Sequence, residues 1–400
     1  MNHTRPIPAP SPPDAALAGL AATVAGAGIA GLSVALALAR RGAAVTVLEQ
    51  APEIAEVGAG LQVSPNGLRV LSALGIDPTT LGDRAEAVEL RDHLGRLVTR
   101  MELPDDPGYI LCHRADLIAG LEAAARAAGA EVQLLQRIAA VELTGGAAAI
   151  MRTGARLETG LLIGADGVHS VLRPALNGPS KPFFTGQVAW RATIPGDFGD
   201  PVVQVFMGPG RHLVSYPLRG GRLRNLVAVE ERREWAAEGW THPDDPAALR
   251  TAFKGFAGPV PDWLAAVEAV WLWGLFRHPV ARRWQDGQGH AAILGDAAHP
   301  TLPFLAQGAN MALEDAWVLA AELAATPGDR PAALSRYEAR RRRRCKAIVA
   351  AATGSARAYH LRAPIAPLGH AILRAAGRIA PSFALRRFAW IHDHDVTTAG

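Results

Sequence analysis

From Ala15 to Ala39 the chain carries no charged side chain; the run AALAGLAATVAGAGIAGLSVALALA then meets Arg40, Arg41 and the β-branched stretch AAVTVLEQ. An uncharged run of about 20 residues is long enough to cross a bilayer, and a small-residue apolar stretch near a chain start resembles an export signal. The pattern argues against both. The preceding MNHTRPIPAPSPPD holds one Arg, one Asp and five prolines rather than a basic start, and alanine and glycine insert poorly beside leucine-rich spans. The order of the glycines decides the matter. Gly26, Gly28 and Gly31 follow a short apolar stretch as G-x-G-x-x-G, and the helix-like SVALALARRG leads into a second β-branched run that ends at Glu49. The pattern therefore predicts strand, tight turn, helix and strand.

That arrangement suits a dinucleotide. The first glycine allows the turn, the second lets a pyrophosphate approach the backbone, and the third lets helix and strand pack closely. The helix N-terminus then offers unpaired N–H groups and a favourable dipole to the anion. Glu49 closes the second strand, placed to accept hydrogen bonds from an adenosine ribose.

Further along, residues 110 to 175 read as a helix, RADLIAGLEAAARAAG, and several strands ending in LLIGADG. Residues 183 to 230 change character, with short alternating strands such as QVAWRATIP, VVQVFMG and RHLVSYPLR and the hairpin signals GDFGD and RGGR. A helical pattern returns near residue 290. These shifts predict an α/β chain with a Rossmann-like nucleotide-binding domain built from residues 20–80, 104–180 and 285–345. A strand-rich substrate domain, 81–103 and 181–284, is inserted into it, a helical segment, 346–400, closes the chain, and the Pro-rich residues 1–19 form a mobile extension.

Composition alters this picture little. At 400 residues the chain is long enough for two domains, and 49% hydrophobic with 20% charged residues describes a globular protein with a cytoplasmic location as the default. The net charge of +4 and the arginine run Arg340 to Arg344 could suggest nucleic acid. No aromatics interleave with the run, which continues the helical pattern of LSRYEARRRRRCKAIVAAA, so it reads as a solvated helix face. Cys112 and Cys345 have no metal or disulfide spacing, so neither a zinc site nor a disulfide framework is expected. Oligomeric state is open, a homodimer being one possibility.

Two further motifs share one design, a strand running into an aspartate-bearing turn: LLIGADGVHSVLR, with Asp166 and Gly167, and AAILGDAAHPTLPFLAQGANMALEDAWVLA, with Asp296 and a helix opening near Gly308. With the glycine loop they resemble the fingerprints of single-component FAD-dependent aromatic hydroxylases, the flavoprotein monooxygenases. The resemblance covers roughly residues 20 to 395 and is nearest the branch of salicylate hydroxylase, 3-hydroxybenzoate 6-hydroxylase and 6-hydroxynicotinate 3-monooxygenase, through EVGAGLQVSPNGLRVLSALG, HRADL, RHLVSYPLR and RFAWIHDHDV. It implies non-covalent FAD, NADH or NADPH as co-substrate, and O₂ transferred through a flavin C4a-hydroperoxide to an electron-rich ring.

By the same resemblance Arg114 contacts the FAD phosphates, Asp166 and Gly167 lie near the pyrophosphate and incoming NAD(P)H, and Asp296 meets the ribityl chain. The backbone N–H groups of Gln307, Gly308, Ala309 and Asn310 face the flavin pyrimidine, where a helix dipole stabilises negative charge. His212 and Tyr216 lie four apart on one strand face; they match active-site positions of the branch, a base and a hydrogen-bonding partner for a ring hydroxyl. Gln62 and Phe304 stand where the hydroxynicotinate enzyme has histidines, and Pro303 where the 3-hydroxybenzoate enzyme has glutamine. These departures imply a more apolar pocket and a small hydroxylated aromatic acid, salicylate-like or hydroxybenzoate-like, as substrate. The rival readings are an epoxidase or quinone-pathway hydroxylase acting on a lipid-like substrate, and a flavin-binding protein without hydroxylase activity. The tryptophans of EWAAEGW and VWLWGLF read as packing beneath the inserted sheet, and His299 as structural.

Overall fold

The computed structural model describes residues 15–54, 60–233, 242–362, 364–379 and 383–398. Its parallel sheet runs in the order Ala291–Ile293, Leu161–Gly164, Ala21–Ala25, Ala44–Leu48, Glu131–Gln133. The helix Ile29–Ala39 that follows the first strand is buried along its whole length. It lies against the helices Gly308–Ala325 and Arg114–Ala127, and its run of Gly, Ala and Ser lets these elements approach closely. Enclosure on all sides is the physical reason for the uncharged opening run, since a charged side chain there would lose its hydration with no partner. No helix among the described residues is long and apolar enough to cross a membrane.

The second sheet has eight strands, in the order His242–Asp244, Val270–Arg277, Phe183–Pro195, Leu223–Glu231, Arg211–Leu218, Val202–Gly208, Ala87–Asp92, Leu97–Glu102. Alternation is clearest where one face meets the core formed by Trp190, Phe206 and Leu213 with the short helices Pro246–Ala252 and Val260–Ala265, leaving the other face to a cavity. Of the two hairpin signals, only RGGR joins neighbours: Arg211–Leu218 and Leu223–Glu231 pair antiparallel around Arg219, Gly220 and Gly221, all at positive φ. GDFGD does not make a hairpin. The strand after it, Val202–Gly208, pairs with Arg211–Leu218 and, in parallel, with Ala87–Asp92, whereas Phe183–Pro195 pairs elsewhere. Turn residues permit a reversal; the long-range register chooses the partner.

Three expected boundaries shift. Residues 1–14 of the expected extension lie outside the described ones, and Leu17, within its remainder, is packed in the core of the first domain rather than mobile. The helix Arg330–Tyr359 runs unbroken through the division expected at residue 345. The third concerns the strand Gly82–Arg84, which sits in a small sheet with Gly60–Val63 and Ile110–His113 rather than in the eight-stranded one.

Candidate active site

A single cavity of about 820 Å³ runs from the glycine loop to the face of the large sheet. At one end it is bordered by Gly28, Ile29 and Ala30, where the first helix begins, and by Arg114, Asp296 and Gly308. Gly26, at φ +97, cannot carry a side chain because a Cβ would stand 2.7 Å from the Ala165 carbonyl oxygen, and one on Gly31 would overlap the Gly26 carbonyl. A Cβ on Gly28, by contrast, meets no atom within 4 Å. Two of the three glycines thus make the turn, and the third leaves room for a ligand against the helix N-terminus.

The residues here fit an FAD. Asp296 faces the cavity and makes no hydrogen bond to a described residue; burial pushes its carboxyl up, against the opposing pull of His299 and Arg114. A carboxylate so placed lacks donors, which ribityl hydroxyls would supply. Glu49 has a further engagement that its spacing does not announce. Its two oxygens accept from Ala27 N at 2.8 Å and Ala51 N at 2.9 Å, so it also ties the glycine loop to the strand end. Each oxygen keeps a lone pair for a ribose.

Asp166 accepts from Val171 N at 2.7 Å through one oxygen, while the other is buried without a partner; Gly167 borders the cavity. At the opening of the Gly308–Ala325 helix, Gly308 and Ala309 border the cavity, but the side chains of Gln307 and Asn310 turn away from it. Gln307 Nε2 donates to Ser64 Oγ at 2.9 Å, and Asn310 accepts from Ser64 N at 3.0 Å and donates to Gln62 O at 3.2 Å. They clamp the strand that presents Gln62. Part of the EVGAG segment lies outside the described residues.

The other end of the cavity lies against the Arg211–Leu218 strand, and His212, Tyr216, Gln62, Pro303 and Phe304 all line it. The His212 and Phe304 rings meet edge-on, 5.3 Å between centroids. His212 is 1% exposed; burial, then the neighbouring His360, hold its imidazole well below the usual histidine range, which favours the neutral ring. Tyr216 moves the opposite way: burial pushes its phenol above the usual range, so it keeps its O–H as a donor. Most of the remaining wall is aliphatic, including Val205, Met207 and Val229.

Sequence reasoning missed several groups. Trp273 is not only packing; it lines the cavity, with the Arg191 guanidinium 4.3 Å above its ring, while EWAAEGW lies wholly outside the described residues. Tyr359 also lines the cavity, and the adjacent His360 bonds His212 Nδ1 at 2.7 Å. They arrive from a helix end 148 residues away, so no local spacing announces them.

The arginine run is the clearest correction. Arg341 is 1% exposed and bridges Glu314 and Asp315, and Arg344 also bonds Glu314. Asp315 in turn bonds His299 and, at 3.0 Å, Gly295 N of the turn that carries Asp296. Only part of the run is a solvated face, because the helix presents every third or fourth residue to the Gly308–Ala325 helix. His299, Asp315 and Cys345 come close enough to suggest a metal site. The guanidinium of Arg341, 2.7 Å from Asp315, already neutralises that carboxylate. Cys112 and Cys345 are buried free thiols.

Comparison with known proteins agrees with this geometry. A family model described as FAD binding domain matches residues 20–352. The chain is 35% identical over 397 residues to a 3-amino-4-hydroxybenzoate 2-monooxygenase of Streptomyces platensis, covering 94% of this chain and 96% of the relative. To the 3-hydroxybenzoate 6-hydroxylase of Polaromonas naphthalenivorans it is 35% identical, covering 86% and 89%. Among solved structures, a salicylate hydroxylase substrate complex superposes with a TM-score of 0.79 at 25% identity, covering 94% and 95%.

Proposed function

The chain belongs to the FAD-dependent aromatic hydroxylases, and from that membership we propose that it hydroxylates a small hydroxylated aromatic acid with NAD(P)H and O₂. The observation that carries this reading is the His212 imidazole on the wall of a largely apolar chamber that is continuous with the groove at the glycine loop. When bound, FAD supplies the reduction and oxygen transfer; the chain's own residues prepare the ring.

His212 takes the proton of a ring hydroxyl, which raises the electron density of the ring. Tyr216, which retains its proton, and the amide of Gln62 offer donors to a carboxylate or a ring oxygen. The aliphatic walls exclude water, and the ring edge of Phe304 holds the histidine face. Gly28 to Ala30 and Arg114 would hold the cofactor phosphates, Asp296 would accept from the ribityl hydroxyls, and the amides at Gly308 and Ala309 would favour negative charge on the flavin. Asp166 and Gly167 would meet the incoming NAD(P)H. The names of the relatives support 3-amino-4-hydroxybenzoate, 3-hydroxybenzoate and salicylate as the first acids to test.

The test is a panel of these acids and hydroxypyridine acids, measured for stimulation of NADH and NADPH oxidation with product analysis. At least one acid should stimulate oxidation and be hydroxylated. Stimulation by none of them, with turnover of a lipid-like substrate, would move the protein to the epoxidase or quinone-pathway reading. NADH consumption indifferent to every aromatic effector would leave a flavin-binding protein without hydroxylase activity.

A further inference from the structure

His212 does not stand alone at the end of the chamber. Its Nδ1 is 2.7 Å from His360 Nε2, His360 Nδ1 is 3.0 Å from Glu231 Oε1, and Glu231 Oε2 accepts from Arg362 Nη2 at 3.0 Å. The line starts at a cavity wall and ends at the surface: His212 is 1% and His360 4% exposed, whereas the Glu231 side chain is 40% exposed. Three separate elements assemble it. His212 comes from the Arg211–Leu218 strand, Glu231 ends the Leu223–Glu231 strand, and His360 caps the Arg330–Tyr359 helix.

The hydrogen bonds fix which nitrogen carries each proton. Glu231, paired with the Arg362 guanidinium, is an acceptor, so His360 must carry hydrogen on Nδ1. A neutral His360 then has a bare Nε2, which accepts from His212, so His212 carries its own hydrogen on Nδ1. The remaining atom, His212 Nε2, is left with a lone pair, and the ring lines the cavity. We propose that Glu231, His360 and His212 form a proton relay that holds His212 Nε2 unprotonated toward the chamber and carries the ring-hydroxyl proton of the substrate to solvent. This rests on reading His212 as the base.

Protons balance along the line. The substrate O–H breaks as N–H forms at His212 Nε2; the Nδ1 proton of His212 passes to His360 Nε2, and the Nδ1 proton of His360 passes to Glu231, which gives it to water. Both rings finish neutral in the opposite tautomer, and return of a proton when product leaves restores the start. Burial favours neutral rings throughout: desolvation lowers His360 too, helped by Arg362 and opposed by Glu231. The other groups against His212 are the Phe304 and Tyr359 rings. Burial keeps the Tyr359 phenol protonated, and Val229 and Met207 flank His212 in the sheet. No second acidic or basic group competes for His212 among these neighbours. His360 and Glu231 are therefore positioning residues that act on substrate through His212.

The tautomers can be read without any substrate. In FAD-loaded protein labelled with ¹⁵N-histidine, long-range ¹H–¹⁵N spectra at pH 7 should show His212 and His360 neutral and protonated on Nδ1, with His212→Phe and His360→Phe assigning the signals. Glu231→Leu should shift the His360 tautomer, and Glu231→Asp should largely restore it. Proton release on binding 3-amino-4-hydroxybenzoate, followed with a dye in weak buffer, should slow at least about tenfold in His360→Phe while flavin content stays constant. A His212 protonated on Nε2 in the wild type, or wild-type proton release from His360→Phe, overturns the relay. If the tautomers are as expected and no aromatic acid is turned over, the hydroxylase reading falls and the ring assignment stands.

Discussion

At the scale of single residues, the glycines of the loop separate by what a methyl group would touch. Gly31→Ala places a Cβ on the Gly26 carbonyl, so overpacking should destabilise the fold by about 1–3 kcal/mol and lower the melting temperature even without flavin. Gly28→Ala should melt like the wild type in the absence of flavin, since its Cβ meets nothing, but bind FAD more weakly; calorimetry and titration distinguish the two. A second pair divides cofactor binding from chemistry. Asp296→Ala should lose FAD on gel filtration, whereas His212→Ala should keep it and form far less hydroxylated product per NAD(P)H. General-base assistance is worth about 10²- to 10⁴-fold, and partial recovery at high pH, where the ring ionises unaided, should accompany the loss. Wild-type product yield from His212→Ala at neutral pH would remove it from the chemistry.

At the scale of elements, the Gly308–Ala325 and Arg330–Tyr359 helices are joined by buried charge. Arg341 satisfies Glu314 and Asp315 together, and removing one partner of a buried pair costs about 3–5 kcal/mol, far above the 0–1 kcal/mol of surface pairs. Arg341→Leu should therefore cause a large fall in melting temperature, while Arg343→Leu, on the exposed side of the same helix, should cause almost none. The pH dependence has a definite sign. Burial raises both carboxyls, but for Glu314 the charges of Arg341 and Arg344, and for Asp315 those of His299 and Arg341, outweigh it and hold each below its ordinary value. Their contribution is complete above the unfolded pKa, about 4, and is lost as pH falls through the folded one. Thermal melts from pH 7 to pH 3 should show this acid slope in the wild type and a shallower one in Arg341→Leu.

At the scale of the molecule, one cavity is shared by two domains whose strands come from distant parts of the chain. The purified protein should be yellow, with one FAD per chain that is released on denaturation, since neither buried thiol borders the cavity to attach the flavin covalently. FAD at a hundredfold excess over its dissociation constant should stabilise the fold by about 2.7 kcal/mol. A colourless protein whose melting temperature FAD does not raise would count against the reading of the whole groove.

The sequence by itself determined what local chemistry can specify. The glycine spacing, the strand-to-aspartate turns and the uncharged helix each need particular residues within a few positions, so the nucleotide fold and Arg114, Asp296 and Gly308 on its groove were legible, as were His212 and Tyr216 on one strand face. Tertiary structure alone decided the rest. Arg341 looked like solvent-facing charge because its partners lie on another helix, GDFGD looked like a hairpin because strand partners are chosen at long range, and the bonds of the Gln307 and Asn310 side chains to Ser64 were not foreseen. His360 and Glu231 carry no motif. Their role depends on directional hydrogen bonds in a desolvated site between residues 129 to 148 positions apart, and contacts at such separations leave no periodic trace in a single chain.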